Sequence, residues 1–218
     1  MDRLISPMKK VLALIGAVVV AACVSHTSVS FAPGFAVEGP FLPRPDQRIE
    51  GRYLLVIDRG MGTLSREIRA GGLACPAHAF RVDITSITRN TVSQTLAQVF
   101  EDIQTVPVAL TREEMGEHGV DGVVTVRVDR FAPWLGFANG TAALTNLDLS
   151  LTVDGPVGPL FATSVSTARR GVARGGGSCD GAAEALARSV ESAIRDALSR
   201  LVDQLVRSEE LGQASTRI

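Results

Sequence analysis

The hydrophobic pattern divides the chain into segments of different period. From Val11 to Ala22 it is unbroken for 12 residues, short of the roughly 20 that a helix needs to span a bilayer. From residue 24 to about 50 no period is sustained, and Pro33, Pro40, Pro43 and Pro45 interrupt the chain. Proline blocks both helices and sheet ladders, so this stretch reads as a semi-extended tether, with Phe31, Phe35, Phe41 and Leu42 available to pack back. Arg52–Asp58 is a short apolar run suited to a buried strand, and Phe80–Thr85 alternates as a half-buried strand does. Val92, Leu96, Val99, Phe100 and Ile103 recur on one helical face. Val106–Leu110 fits a short edge strand, where Pro107 is tolerated.

Three alternating segments follow. Val124–Asp129, Leu147–Val153 and Leu160–Arg170 each place apolar side chains on one side, as the strands of an antiparallel meander do. Residues 180–207 carry one continuous apolar stripe from Ala183 to Leu205. On its other side Glu184, Glu191, Asp196 and Asp203 each precede an arginine by four residues, the favourable orientation for helical ion pairs. Asp180 is placed to cap the start of this helix. The order of elements predicts an α+β fold, a mainly antiparallel sheet with two helices packed on one face.

Charge and targeting change the picture at the N-terminus. Lys9 and Lys10 precede the apolar run and small residues end it, the layout of a secretory signal. Val20-Ala21-Ala22-Cys23 resembles the lipobox of bacterial lipoproteins, in which the cysteine is diacylated and becomes the mature N-terminus. An ordinary cleaved signal with a chance cysteine is the alternative. Met8 opens a compact signal by itself, so translation can start there or at Met1. The expected organisation is a signal peptide over 1–22, a lipidated Cys23 with a proline-rich tether over 23–50, one α+β domain over 51–207, and a disordered tail over 208–218.

Beyond the signal the chain holds 19 basic and 22 acidic residues, a balance of −3, and all of those cations are arginines. A nucleic-acid binder normally shows a basic excess, so none is expected as a partner. No second long apolar run follows the signal. With Cys23 acylated, Cys75 and Cys179 remain. In an oxidising compartment such a pair becomes a disulfide. The competing reading is a metal site built from Cys75, His78, Cys179 and His118, which lacks the two close ligand pairs of a zinc site.

Catalytic chemistry finds little support. Gly176-Gly-Ser178-Cys-Asp180 lacks the second glycine of a nucleophile elbow. Arg174-Gly-Gly-Gly-Ser178 lacks the Gly-Lys-Ser/Thr ending of a phosphate loop. Glu113 and Glu114 read as a solvated helix face. No enzymatic activity and no cofactor are expected.

Gly119, Val120, Asp121, Val123 and Val124 form a "glycine, small residue, aspartate, apolar pair" lead-in to a strand. This motif and the order of elements over about residues 50–207 are similar to a group of small bacterial periplasmic lipoproteins. The group comprises the amino-terminal domain of TolB, the curli-secretion lipoprotein, the penicillin-binding-protein activator lipoprotein and the auxiliary lipoproteins of lipid-transport ABC systems. A glycine common after the apolar pair is replaced here by Val126. The resemblance implies a non-enzymatic envelope adaptor that docks partners, and the lipobox predicts that it is held by its lipid at the periplasmic face of the outer membrane. Val24 is not the aspartate that commonly retains lipoproteins in the inner membrane. The alternative function is a periplasmic lipoprotein binding a small ligand or a metal.

The expected contact is Phe131-Ala-Pro-Trp134-Leu135-Gly-Phe137, placed between the first two meander strands as a hairpin end, with Asn139-Gly140 as its turn. Hairpin loops are ordinarily polar. Phe131, Trp134, Leu135 and Phe137 therefore either fold back to cap the core or form an exposed apolar tip for a partner.

Overall fold

The protein is described here from a computed structural model, over residues 25–31, 48–58, 64–69, 78–137, 141–173, 179–208 and 211. The fold is α+β, and its strands fall into two sheets. The larger contains β2 (Ile49–Ile57), β5 (Phe100–Val106), β6 (Gly122–Gly136), β7 (Ala142–Asp154) and β8 (Pro159–Val172), in the order β5-β2-β6-β7-β8. It is mixed: β2 runs parallel to both β5 and β6, and β6, β7 and β8 form an antiparallel meander. The smaller sheet has the order β1-β4-β3, from β1 (Ser25–Ser28), β4 (His78–Asp83) and β3 (Ser65–Arg69).

Two long helices lie on one face of the larger sheet. The helices α1 (Thr85–Val99) and α3 (Cys179–Val206) share one core with Tyr53 and Leu55 of β2, Val124 and Val126 of β6, and Leu147, Leu149, Leu151 and Val153 of β7. The smaller sheet closes the same core through Phe80 and Val82. Period-2 alternation sends the neighbouring residues to the other face. There Leu54 and Val123 meet Met115 of a short helix, α2 (Arg112–Glu117), and Val120 just beyond its end.

Five expectations change. Ser25–Ser28, inside the stretch read as a tether, forms β1 and pairs in parallel with β4. Phe100 and Ile103 belong to β5, not to the helix that their spacing fits; α1 ends at Val99, and Pro107 lies just beyond β5. Asp180 is the second residue of α3 and not the residue before it. Phe131–Gly136 is strand and not loop, because β6 continues through Pro133 with an irregularity between Val128 and Arg130. Of the tail expected over 208–218 only Ser208 and Leu211 lie among the described residues, and Leu211 is buried in the core rather than disordered.

The helix α3 runs along the meander, over β7 and β8. The Thr145 and Ser189 hydroxyls lie 2.8 Å apart, the Thr167 hydroxyl donates to the Ala193 carbonyl at 3.4 Å, and Arg169 pairs with Asp196. At Gly171 the strand backbone lies close against α3: a Cβ there would collide with the Ala185 carbonyl and the Ser189 amide. Of the expected helical ion pairs, Glu184–Arg188 forms, as do Asp196–Arg200 at 3.2 Å and Asp203–Arg207 at 2.8 Å.

Candidate docking site

The aromatic segment is divided by the pleat of β6. Phe131 and Leu135 turn inward and are buried in the core, and Phe137 packs partly against it. Trp134 turns to the other face and keeps 57% of its surface. Its indole lies over Gly136, where a Cβ would clash with the ring. Directly across the ladder is Leu144, followed on β8 by Arg170. The next row toward the hairpin end is Gly136, Ala142 and Val172. Leu144 is 36% and Val172 53% exposed. Three large apolar side chains thus share one end of the sheet face opposite α1 and α3, with the small Gly136 and Ala142 between them and Arg170 beside Leu144. Among the described residues no helix covers this end, since α2 sits at the β2–β6 side.

The expected capping and contact roles therefore fall to different side chains of one strand. Sequence reasoning grouped Phe131, Trp134, Leu135 and Phe137 and missed Leu144 and Val172. Pairing residues outward from a two-residue Asn139-Gly140 turn would have set Leu144 opposite Leu135, one residue out of the actual register, in which Trp134 faces Leu144.

The conspicuous sequence motif has a structural explanation. Gly119 has φ +60° and ends α2 in the left-handed region, where glycine is strain-free. The Val120 amide donates to the Met115 carbonyl at 2.9 Å and the Gly119 amide to that of Gly116 at 3.4 Å, a Schellman stop with its usual apolar contact between Val120 and Met115. Asp121 then joins two strands: its carboxylate accepts from the Arg52 amide at 2.7 Å, and its own amide donates to the Arg52 carbonyl at 2.9 Å. The carboxylate occupies the space where a side chain on Gly51 (φ +106°) would begin. Tyr53 lies against Gly122 and Phe100, with the two aromatic ring centroids 4.6 Å apart. Burial, and secondarily the Asp121 charge, push its phenol up to about 12.

The remaining candidates are dispersed. His26 lies 3.9 Å from Glu67, His78 stacks on Phe80, and His118 follows α2. No group of three metal-capable side chains occurs among the described residues. Glu114 belongs to a capping box with Thr111, whose amide, donating at 2.7 Å, holds the carboxyl below its usual range. A depression of about 290 Å³ beside β5 is lined by Ile57, Arg89, Thr105, Val106 and Pro107, a set with one charged group and one hydroxyl. Cys179 is disulfide-bonded. Cys23 and Cys75, the other two cysteines, lie outside the described residues, as do the lipobox and the Asn139-Gly140 turn. No described helix is long and apolar enough to cross a membrane.

No protein-family model and no curated protein matches the chain. Among solved structures it is similar to XCC0632 from Xanthomonas campestris, a DUF330 protein, with 14% identity over 89% of this chain and 99% of that one at a TM-score of 0.48. A putative neuraminyllactose-binding hemagglutinin homolog from Helicobacter pylori aligns at 6% identity over 86% and 95% with a TM-score of 0.42. A minor lipoprotein from Acinetobacter baumannii aligns at 14% identity over 76% and 95% with a TM-score of 0.30. Likenesses this distant say nothing of function.

Proposed function

We propose that the protein is a lipid-anchored, non-enzymatic adaptor of the bacterial envelope, held at the periplasmic face of the outer membrane and docking a protein partner through the outer face of its meander. One observation carries the docking: Trp134, Leu144 and Val172 stand together on a sheet face that no described helix covers. Exposed apolar clusters of this kind mark interaction sites, and a tryptophan set among small residues is a suitable anchor. The anchoring half rests on the lysines, apolar run and Val20–Cys23 pattern of the N-terminus. Two acyl chains hold a protein stably where one does not. A Cys75–Cys179 disulfide belongs to the same reading, because it requires the oxidising side of the membrane.

Two measurements test it. Metabolic palmitate labelling of the full chain should be abolished by Cys23→Ala; labelling that survives refutes the anchor. Crosslinking in native membranes followed by pull-down should recover a protein partner with the wild type and lose it with Trp134→Ala. Undiminished recovery with that variant refutes the docking face.

A further inference from the structure

The two edges of the larger sheet are unlike. At one end β5 is 7 residues long, carries Glu101 and Asp102, and is followed by Pro107; shortness, charge and proline are the means by which edge strands resist pairing. At the other end β8 is 14 residues long and pairs only with β7 among the described residues. After Pro159 it has no proline, and its two arginines lie together near one end. The Val172 carbonyl accepts from Arg188 at 3.0 Å, which closes that end of the edge and leaves residues 160–170 as the open stretch.

The middle of this stretch, residues 162–168, reads the same in both directions. Ala162-Thr163-Ser164-Val165-Ser166-Thr167-Ala168 is a palindrome centred on Val165. An edge strand of a closed dimer pairs antiparallel with its own copy, so that each residue meets the residue equally far on the other side of the axis. Centred on Val165, such a pairing sets Ser164 opposite Ser166, Thr163 opposite Thr167 and Ala162 opposite Ala168. Like types of equal size then meet over residues 162–168. Arg169 and Arg170 meet Phe161 and Leu160 instead of each other, which avoids the opposed like charges that destabilise a cross-strand pair.

From an edge that no described strand pairs and from this self-complementarity we infer that β8 is a dimerisation strand, and that its partner is a second copy of this chain joined about a two-fold axis through Val165. The axis stands perpendicular to the sheet and makes one continuous sheet of ten strands. At a strand spacing of about 4.8 Å, two α3 helices, each over its own β7–β8 pair, come about 10 Å apart, the separation of packed helices. Both Trp134 faces lie on the same side of the dimer, so it presents its docking surface twice. The inference stands independently of what that surface binds.

The test uses the full chain in detergent and reads its mass by sedimentation. The wild type should pass from monomer to dimer as concentration rises, and amides of residues 160–170 should gain hydrogen-exchange protection over the same range. Ser164→Arg with Ser166→Arg opposes arginines across the axis at two places and should weaken the dimer at least tenfold. Ser164→Arg with Ser166→Asp opposes arginine to aspartate in that register alone and should restore it. A wild type that stays monomeric overturns the inference. So does a dimer without new protection in 160–170, a dimer indifferent to the double arginine, or a failure of the arginine–aspartate variant to recover.

Discussion

The two faces of the meander are built from the same strands and have opposite fates. Inward, Phe131, Leu135, Leu147 and Leu149 are buried under α3 and the smaller sheet. Outward, one residue away on the same backbone, Trp134 and Leu144 face solvent. Hydrophobicity alone does not separate them, since an indole is as apolar as its buried neighbours. What separates them is the parity of the strand and the choice of α1 and α3 to cover one side only. An apolar residue in this part of the chain is therefore a core residue or a contact residue according to whether its position is odd or even.

The sharpest way to break that contrast is truncation on the inner side. Phe131→Ala should cost about 3–5 kcal/mol of unfolding free energy, measured by urea denaturation. A cost below about 1 kcal/mol would mean that the inner face is not the core. Gly171→Ala should come next, at about 1–3 kcal/mol, because the new methyl meets α3 backbone and not a flexible side chain. A neutral Gly171→Ala would show that α3 can lift from β8.

Asp121→Asn probes the other end of the sheet and should cost roughly 1–2 kcal/mol, through a weaker hydrogen bond from the Arg52 amide. It also has a spectroscopic signature. Tyr53 is the only tyrosine, so phenolate absorbance titrates it alone. In the wild type the midpoint should lie near 12, above the ordinary 10.0, with burial as the larger cause and Asp121 as the smaller. The variant should fall part of the way and stay above 10.0. A folded-state phenol raised in this way contributes stability that is complete below the unfolded-state value and is lost as pH rises from about 10 to about 12. Unchanged stability across that window would contradict the burial of Tyr53. The smallest effect is expected from Trp134→Ala, within about 0.5 kcal/mol as for a surface site. A loss as large as that of Phe131→Ala would move Trp134 into the core and remove the contrast.

How much of this was legible varied with the local signal. The helix α3 carries both an apolar stripe and acid-before-base pairs, and the meander alternates cleanly, so both could be read directly. The fold class followed from them. The strand β3 holds a single apolar residue, Ile68, and β1 none; such edges form because β4 offers them a ladder. Phe100 and Ile103 were assigned to the helix because positions 92 to 103 satisfy a helical period, whereas pairing with β2 draws them into β5. At the candidate site the four aromatic-segment residues were visible as a group. Their division required knowing that β6 continues through Pro133, and Leu144 and Val172 became neighbours of Trp134 only through register.

The place of β2 between β5 and β6 also sets the order in which the chain can assemble. Its neighbours arrive late: Arg52 is joined to Asp121 across 69 residues, and β5 must be laid down on the other side. Parallel pairings close large loops before any contact rewards them, and such folds form slowly. The meander can zip earlier through its two hairpins, but Leu147, Leu149 and Leu151 have no cover until residues 179–206 arrive as α3. A chain made from its N-terminus thus carries an unpaired β2 and then a bare apolar sheet face until its last helix has emerged. Such exposed apolar surface makes incomplete chains prone to aggregate, and the step that ends the exposure in this fold is the docking of α3.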